Sequence, residues 1–143
     1  MEKYELLKDD TKEVSGHTLY RIKALRDFGD VTKGDLGGYI ESEDNLSHNG
    51  DAWVFDDARV WGNAEVCGSA VIKSTEDYIV FKNNWSSGRY FTYTKSNKMW
   101  KVGCFYGTGQ ELIEKAYADS ELSGKCYEAY VKLVEQLENI QIK

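Results

Sequence analysis

Residues 50–73, GDAWVFDDARVWGNAEVCGSAVIK, decide the fold of this chain, because they repeat with a period of six residues. The aliphatic residues of the repeat are Val54, Val60, Val66 and Ile72, and an alanine stands two residues before each of them. An α-helix repeats about every 3.6 residues and a flat strand about every 2, so neither explains this spacing. A period of six is typical of a parallel β-helix of the hexapeptide type, in which each unit forms one side of a triangular coil. We therefore expect the aliphatic side chains to point into the axis and the alanines to pack near the corners.

Small and polar pairs stand where the coil must bend, at Asp56-Asp57, Gly62-Asn63 and Gly68-Ser69. One coil takes three units, so residues 38–73 hold about two coils, of which the first is irregular because Ile40 and Leu46 are out of phase with Val54. Two coils cannot cover both of their own ends. We therefore predict an N-terminal hairpin cap at one end and the rest of the chain at the other, with domains at residues 1–75 and 76–143.

The flanking segments carry the patterns of ordinary strands and helices. Residues 4–7 and 17–24 are predicted as two strands around a polar turn at 9–16, and residues 27–38 as a string of tight turns. In the C-terminal half, residues 78–81 form a short strand, and 89–94 with 99–102 form a hairpin. Thr108 precedes Glu111 by three residues, a capping box that opens one helix, and a second helix follows from about Ser123. The fold class is therefore α+β, with a small antiparallel sheet and two C-terminal helices after the coils.

The acidic charge lies in one half of the chain. The 143 residues carry a net charge of −6, and residues 1–75 hold 9 Lys and Arg against 15 Asp and Glu. Because phosphate contacts supply most nucleic-acid affinity, this charge argues against direct nucleic-acid binding. An alternative is that the acidic half imitates nucleic acid toward a basic partner.

The chain shows no apolar run long enough for a membrane span and no signal peptide at its start, so we expect no membrane association. Three cysteines without a CxxC spacing suit a reducing compartment. We therefore expect a cytoplasmic protein, in the host cell if the protein comes from a phage.

Residues that could do chemistry are few. His48 lies in a polar turn, LSHNG, where bonding to local backbone is expected. Cys104 has no histidine near it in the sequence, and the acidic pairs at 56–57 and 41–44 match no metal loop. The sequence therefore predicts no catalytic residue, no metal site and no cofactor, and hence a protein that is not an enzyme.

Aromatic residues at outward positions of the coils predict a contact surface. Soluble β-surfaces seldom present large rings to water, and Trp, Phe and Arg are frequent anchors of interfaces. We therefore predict a partner-binding patch of Trp53, Phe55, Arg59 and Trp61. The patch is covered by the C-terminal lobe of the same chain, by a second copy in a dimer or trimer, or by a foreign protein.

A second candidate site lies where the lobe meets the last coil. There a base could stack on Trp85 or Trp100, and Arg89, Lys101 and the glycine-rich turn ending at Thr108 could hold phosphate. This alternative predicts a protein that sequesters a signalling nucleotide.

Several motifs resemble those of a known group of proteins. The run from residue 18 to about 70, with LYRI, ALRDFGDV, GDLGGYIE and NLS leading into DAxVxGNA coils, resembles the entry segment of YdcK-like hexapeptide-repeat proteins of prophages and bacteria. The later part, from FKNNW to KLVE, is similar to a phage-associated domain of unknown role. The resemblance implies a short left-handed parallel β-helix of about two coils.

The phage context of that group implies a function. Small acidic prophage proteins without catalytic groups are often inhibitors of bacterial defence. The leading hypothesis is therefore a non-enzymatic, anti-CRISPR-like inhibitor that forms a homo-oligomer and binds a bacterial host protein. The alternatives are the nucleotide-sequestering protein and a hexapeptide-type acyltransferase, which many hexapeptide-repeat proteins are, with His48 as its general base.

Overall fold

The computed structural model describes residues 2–141 and is a mixed α+β fold. Its ten strands and two α-helices, counted over those residues, are β1 Tyr4–Val14, β2 His17–Ala24, β3 Leu36–Ile40, β4 Trp53–Val54, β5 Arg59–Val60, β6 Val71–Ile72, β7 Tyr78–Lys82, β8 Tyr90–Thr94, β9 Met99–Val102, β10 Phe105–Thr108, α1 Gly109–Asp119 and α2 Glu121–Gln141. The strands form sheets in the orders β1-β2-β3-β5, β4-β6 and β10-β9-β8-β7.

Residues 36–72, which we call the parallel stack, pair in parallel. Strand β3 pairs with β5, with Ile40 opposite Val60, and β4 pairs with β6, with Trp53 opposite Val71. The aliphatic and alanine positions of the six-residue period, from Ala52 to Ile72, are all at most 6% exposed. The period therefore correctly predicts which side chains of the parallel stack are buried.

The parallel stack is irregular in one segment. Leu46 pairs with Val66, and Trp53 pairs with Val71. Leu46 and Trp53 are seven positions apart in the sequence, whereas Val66 and Val71 are five positions apart. The longer segment contains His48, and its backbone turns at Gly50, where φ is +74°. A Cβ at Gly50 would lie 2.7 Å from the carbonyl oxygen of Gly68, so this close approach requires glycine.

A buried asparagine joins successive layers of the parallel stack, each of which we call a rung. The Oδ1 atom of Asn45 accepts the backbone N–H groups of Glu41 and Ser42, at 3.1 and 3.0 Å. Its Nδ2 atom donates to the carbonyls of Gly62 and Ala64 on the next rung, at 3.2 and 2.9 Å. This one side chain thus pairs four backbone groups at a bend where no strand partner reaches them.

The N-terminal hairpin covers the first rung. Strand β1 runs to Val14, through the segment predicted as a polar turn, because the reversal needs only the two residues Ser15 and Gly16, at φ +50° and +84°. The register shifts between Leu7 and Thr11, which absorbs the polar residues of that segment in an exposed edge strand. Strand β2 then pairs antiparallel with β3.

The C-terminal half covers the last rung. Strands β7 to β10 form an antiparallel sheet, and α1 and α2 pack on one face of it around Phe91, Trp100 and Tyr127. Tyr93 pairs with Trp100 in the predicted hairpin, and the Thr108–Glu111 capping box is present. The predicted division at residue 75 stays a prediction.

Candidate functional site

His17 and Glu41 form a hydrogen-bonded pair beside the parallel stack. His17 begins β2 and Glu41 follows β3, and the antiparallel pairing of these strands brings the Nδ1 atom of His17 to 2.6 Å from Oε2 of Glu41. The other oxygen of Glu41 accepts the backbone N–H of Gly62 at 2.9 Å. These two hydrogen bonds, from His17 first and Gly62 second, hold the pKa of Glu41 below its ordinary value. The carboxylate is therefore ionised and fixed in position.

This arrangement decides the tautomer of His17. An ionised carboxylate only accepts hydrogen bonds, so Nδ1 of His17 carries a proton, and in the neutral imidazole Nε2 presents a lone pair. Nε2 has no hydrogen-bond partner among residues 2–141. The imidazole is 40% exposed and lies against the ring of Trp61, with the centroids 4.9 Å apart. Such a histidine can accept a proton from a molecule beside it.

His17 lines a groove of about 610 Å³. The groove lies where the hairpin, the parallel stack and β7 meet, with Arg59 and Trp61 on the stack side and Tyr78 and Val80 on the β7 side. The Tyr78 hydroxyl donates to the Arg59 carbonyl at 3.0 Å, which fixes these two walls to each other. The Arg59 side chain makes no salt bridge with the residues described, so it gives the groove a positive charge.

His48, the sequence candidate for a general base, is fully engaged. Its Nδ1 atom lies 3.1 Å from the backbone N–H of Lys3, which can only donate. Nδ1 therefore accepts, Nε2 carries the proton, and Nε2 donates to Glu43 at 2.7 Å. The ring stacks on Tyr4 with the centroids 4.1 Å apart. The acyltransferase hypothesis based on His48 is wrong about this residue, because no lone pair of the ring is left to accept a proton from a substrate.

The hydrogen bonds of His48 also decide whether the residues around it can bind a metal ion. Ligand atoms of Glu2, Glu43 and His48 lie within 4.8 Å of one another. A metal at Nε2 of His48 would require the proton to move to Nδ1, and the bond to the Lys3 N–H would be lost. These three residues therefore do not fit a cation.

The predicted partner-binding patch is split by the fold. Trp53 is only 2% exposed and packs edge-on against Phe28, with the centroids 5.2 Å apart, and against Tyr4. The prediction that Trp53 contacts a partner is wrong, because the hairpin of the same chain covers its ring. Phe55 is partly buried against the same core, whereas Arg59 and Trp61 come together in the groove beside His17.

The predicted nucleotide-binding residues do not converge. Trp100 is 2% exposed under the helices, so it cannot stack on a base. The Trp85 indole packs on Tyr127 and donates to Ser123 at 3.2 Å. Lys101 donates to the Gly103 carbonyl, and Thr108 caps α1. Arg89 lines a separate cleft in the C-terminal half. Packing against α1 and α2 uses both tryptophans in the core, which contradicts this site.

Part of this chain is similar to a curated bacterial protein. No protein-family model matches the chain. A protein of Escherichia coli (strain K12) named "Uncharacterized acetyltransferase YdcK" is 38% identical over 58 residues, which are 40% of this chain and 18% of that protein. The chain therefore spans less than a fifth of the length of this curated relative. The similarity hints at the hexapeptide-repeat family.

This similarity corrects one prediction and leaves others without support. The prediction that the chain is not an enzyme is contradicted, because the relative is named as an acetyltransferase. The comparisons give no support to the prophage origin, the anti-defence role, the host partner or the homo-oligomer, which stay predictions. Over the described residues, neither α1 nor α2 is long and apolar enough to cross a bilayer.

Sequence reasoning missed His17 and Glu41 as a pair. His17 stood at the start of a predicted strand, directly after a predicted turn, and Glu41 stood in an acidic run that matches no metal loop. The signal that could have found them is the antiparallel pairing of residues 17–24 with 36–40, which puts the start of one strand beside the end of the other.

Proposed function

We propose that the chain is an acyl-transfer module of the hexapeptide-repeat type, with His17 as the general base and Glu41 as the residue that positions it. Residues 38–73 would wind as a left-handed parallel β-helix of about two coils. The observation that carries the proposal is the ionised Glu41 on Nδ1 of His17, with Nε2 left as an acceptor in an open groove. The acetyltransferase name of the relative supports the same class of reaction.

The proposed reaction moves an acyl group from a thioester, such as acetyl-coenzyme A, to an amine or hydroxyl. Nε2 of His17 takes a proton from the attacking amine or hydroxyl, while a lone pair of that amine or hydroxyl forms a bond to the acyl carbon. The C–S bond breaks, and the thiolate that leaves takes the proton back from the imidazolium. Glu41 stabilises the imidazolium while it exists, as a carboxylate does in other histidine pairs.

Two neighbours of His17 suit substrate binding. Arg59 makes no salt bridge with the described residues and can pair with an anionic group of either substrate. Trp61 packs on the imidazole and limits the positions that its ring can take. Both residues belong to the patch that the sequence predicted as a contact surface.

The test is an acyl-transfer assay with acetyl-coenzyme A and a panel of small amines and alcohols, followed by thiol release and by the mass of the product. We expect turnover in the wild type and a fall of about a hundredfold or more in His17→Gln. His48→Gln is the matched control, and we expect it to keep its activity as long as circular dichroism shows it folded. Absence of an acylated product in the wild type, or an equal loss in both variants, would contradict the proposal.

A further inference from the structure

A second cleft lies in the C-terminal half. It has a volume of about 300 Å³ and opens between the loop at residues 83–89, the β9–β10 turn and the two helices. Buried side chains of Leu112, Ala116 and Tyr127 form its floor. This volume and this mixture of apolar floor and polar rim suit a small organic molecule.

Four hydroxyl groups line the cleft; that of Ser86 donates to Oδ1 of Asn83 at 3.3 Å, and the other three are free to donate to a ligand. These three, on Ser87, Ser123 and Tyr127, already accept a hydrogen bond from a protein N–H group, at 3.1, 3.2 and 3.4 Å. The donors are, in that order, the Arg89 backbone, the Trp85 indole and the Asn83 amide. None of the three hydroxyls donates to another group among residues 2–141. Since a hydroxyl has one proton to give, each is left to bind an acceptor on a ligand.

The cleft also has an excess of positive charge. The Arg89 guanidinium makes no salt bridge with the described residues and lies on the backbone of Gly103. Gly103 has φ +55°, and a Cβ there would lie 2.3 Å from a guanidinium nitrogen, so any side chain at residue 103 would displace Arg89. Lys115 is a second cation, and Asp119 lies 3.5 Å from it. One positive charge therefore remains, in a chain whose net charge is −6.

Acceptor groups in the cleft are already used. The Oδ1 atom of Asn83 accepts the backbone N–H groups of Trp85 and Ser86, at 3.1 and 2.9 Å. The cleft thus offers a guanidinium and three O–H groups, and the one carboxylate on its rim, that of Asp119, has its own cation. A ligand that matches these donors carries several acceptor oxygens and a negative charge.

We propose that this cleft is a binding site for a small organic oxyanion. A carboxylate or phosphate group binds the Arg89 guanidinium and the Ser87 hydroxyl, and the apolar body of the ligand lies on Leu112 and Ala116. The site is separate from the His17 groove, since the two share no lining residue. Its occupation does not depend on acyl transfer.

Isothermal titration of the full chain with benzoate, phenyl phosphate and the neutral analogue benzamide tests the proposal. We expect at least one of the two anions to bind saturably, with benzamide bound at least tenfold more weakly. If only benzoate binds, the ligand is a carboxylate, and if only phenyl phosphate binds, it is a phosphate ester. Failure of both anions to bind, or equal binding of benzamide, would overturn the proposal.

Two variants with the same charge change locate the site. Arg89→Gln is expected to weaken the anion roughly tenfold, as the loss of a charge-assisted hydrogen bond does. Lys82→Gln removes a cation from an exposed position outside the cleft and is expected to leave the affinity unchanged. Equal effects of the two substitutions would overturn the proposed location.

Cys104 provides a measurement that needs no substitution. Its thiol is exposed and lines the cleft, whereas Cys67 and Cys126 are each partly buried. We expect a saturating anion to slow the alkylation of Cys104 several-fold, measured by peptide mass, and to leave the alkylation rate of Cys126 unchanged. An unchanged rate at Cys104 in the presence of a bound anion would place that anion elsewhere and overturn the proposal.

Discussion

The hydroxyl oxygen of Thr92, in the C-terminal sheet, accepts the backbone N–H of Glu65, in the parallel stack, at 3.0 Å. Thr92 is 1% exposed, so this part-buried hydrogen bond is shielded from water on the side of its acceptor. The backbone N–H of Val71 is paired in the same way, with the Ser96 hydroxyl at 2.8 Å. Side chains of the C-terminal sheet thus pair with backbone N–H groups that a further rung of the parallel stack would otherwise bind.

Replacing Thr92 with valine keeps the shape of the side chain and removes the acceptor. We expect Thr92→Val to lower the free energy of unfolding by about 1–2 kcal/mol, because the part-buried Glu65 N–H is left without its partner. Thr18→Val, which removes an exposed hydrogen bond to Glu13, is the control, with an expected change below about 0.5 kcal/mol. Urea unfolding of both variants measures the difference, and equal values would contradict the role of Thr92.

Asn45 pairs four backbone groups at one bend, so its loss is expected to cost more. We expect Asn45→Ala to lower the free energy of unfolding by about 3 kcal/mol or more, since the freed groups are partly or fully buried. Asn63→Ala, at an exposed position of the next bend, is the matched control, with a small expected effect. A small effect of Asn45→Ala in thermal unfolding would show that these groups find other partners.

Lys3 makes stability depend on pH on the alkaline side. Its side chain is buried, and burial, with Arg26 nearby, lowers its pKa from 10.5 to about 8, although its ammonium donates to the carbonyls of Ala52 and Gly50. Between these two pKa values the unfolded chain binds a proton that the folded chain does not. The free energy of unfolding therefore rises with pH in this window, by about 2 kcal/mol from pH 7 to 9.5.

The variant Lys3→Met removes this titration. We expect its free energy of unfolding to lack the rise that Lys3 contributes, while Lys8→Met, at an exposed position of β1, retains it. The comparison uses the slope against pH, so a loss of absolute stability in Lys3→Met does not disturb it. Parallel curves for the wild type and Lys3→Met, in urea unfolding from pH 7 to 9.5, would contradict the assignment.

Under the proposed function, Glu41 acts through its charge. We expect Glu41→Gln to reduce the acyl-transfer rate by about a hundredfold, because a neutral amide no longer stabilises the imidazolium of His17 or fixes its tautomer. Glu43→Gln removes the carboxylate that holds His48 and is expected to change the rate little. Rates that fall equally in the two variants would assign Glu41 a structural role only.

The sequence was sufficient where structure follows from a local period. The six-residue repeat from Val54 to Ile72 predicts the buried positions and the pairing of Trp53 with Val71, because each step depends only on its neighbours. The hairpin at Tyr93 and Trp100 and the cap at Thr108 are also local patterns, and the structure contains both.

The sequence was insufficient where distant segments meet. The burial of Trp53 depends on Tyr4 and Phe28, which reach it from the N-terminal hairpin and the turns that follow. His17 meets Glu41 only through the register of β2 with β3. Neither contact leaves a periodic pattern in the sequence. Trp53 was therefore predicted to face outward, and His17 was not predicted to meet Glu41.

The way the last rung ends has a consequence for assembly. A rung with open N–H and C=O groups is a template on which another chain can continue the ladder, and repeated addition gives a fibre. In this protein the Thr92 and Ser96 hydroxyls occupy N–H groups of Glu65 and Val71 at that edge. They protect the chain against end-to-end polymerisation, which a longer or uncovered stack of the same repeat would invite.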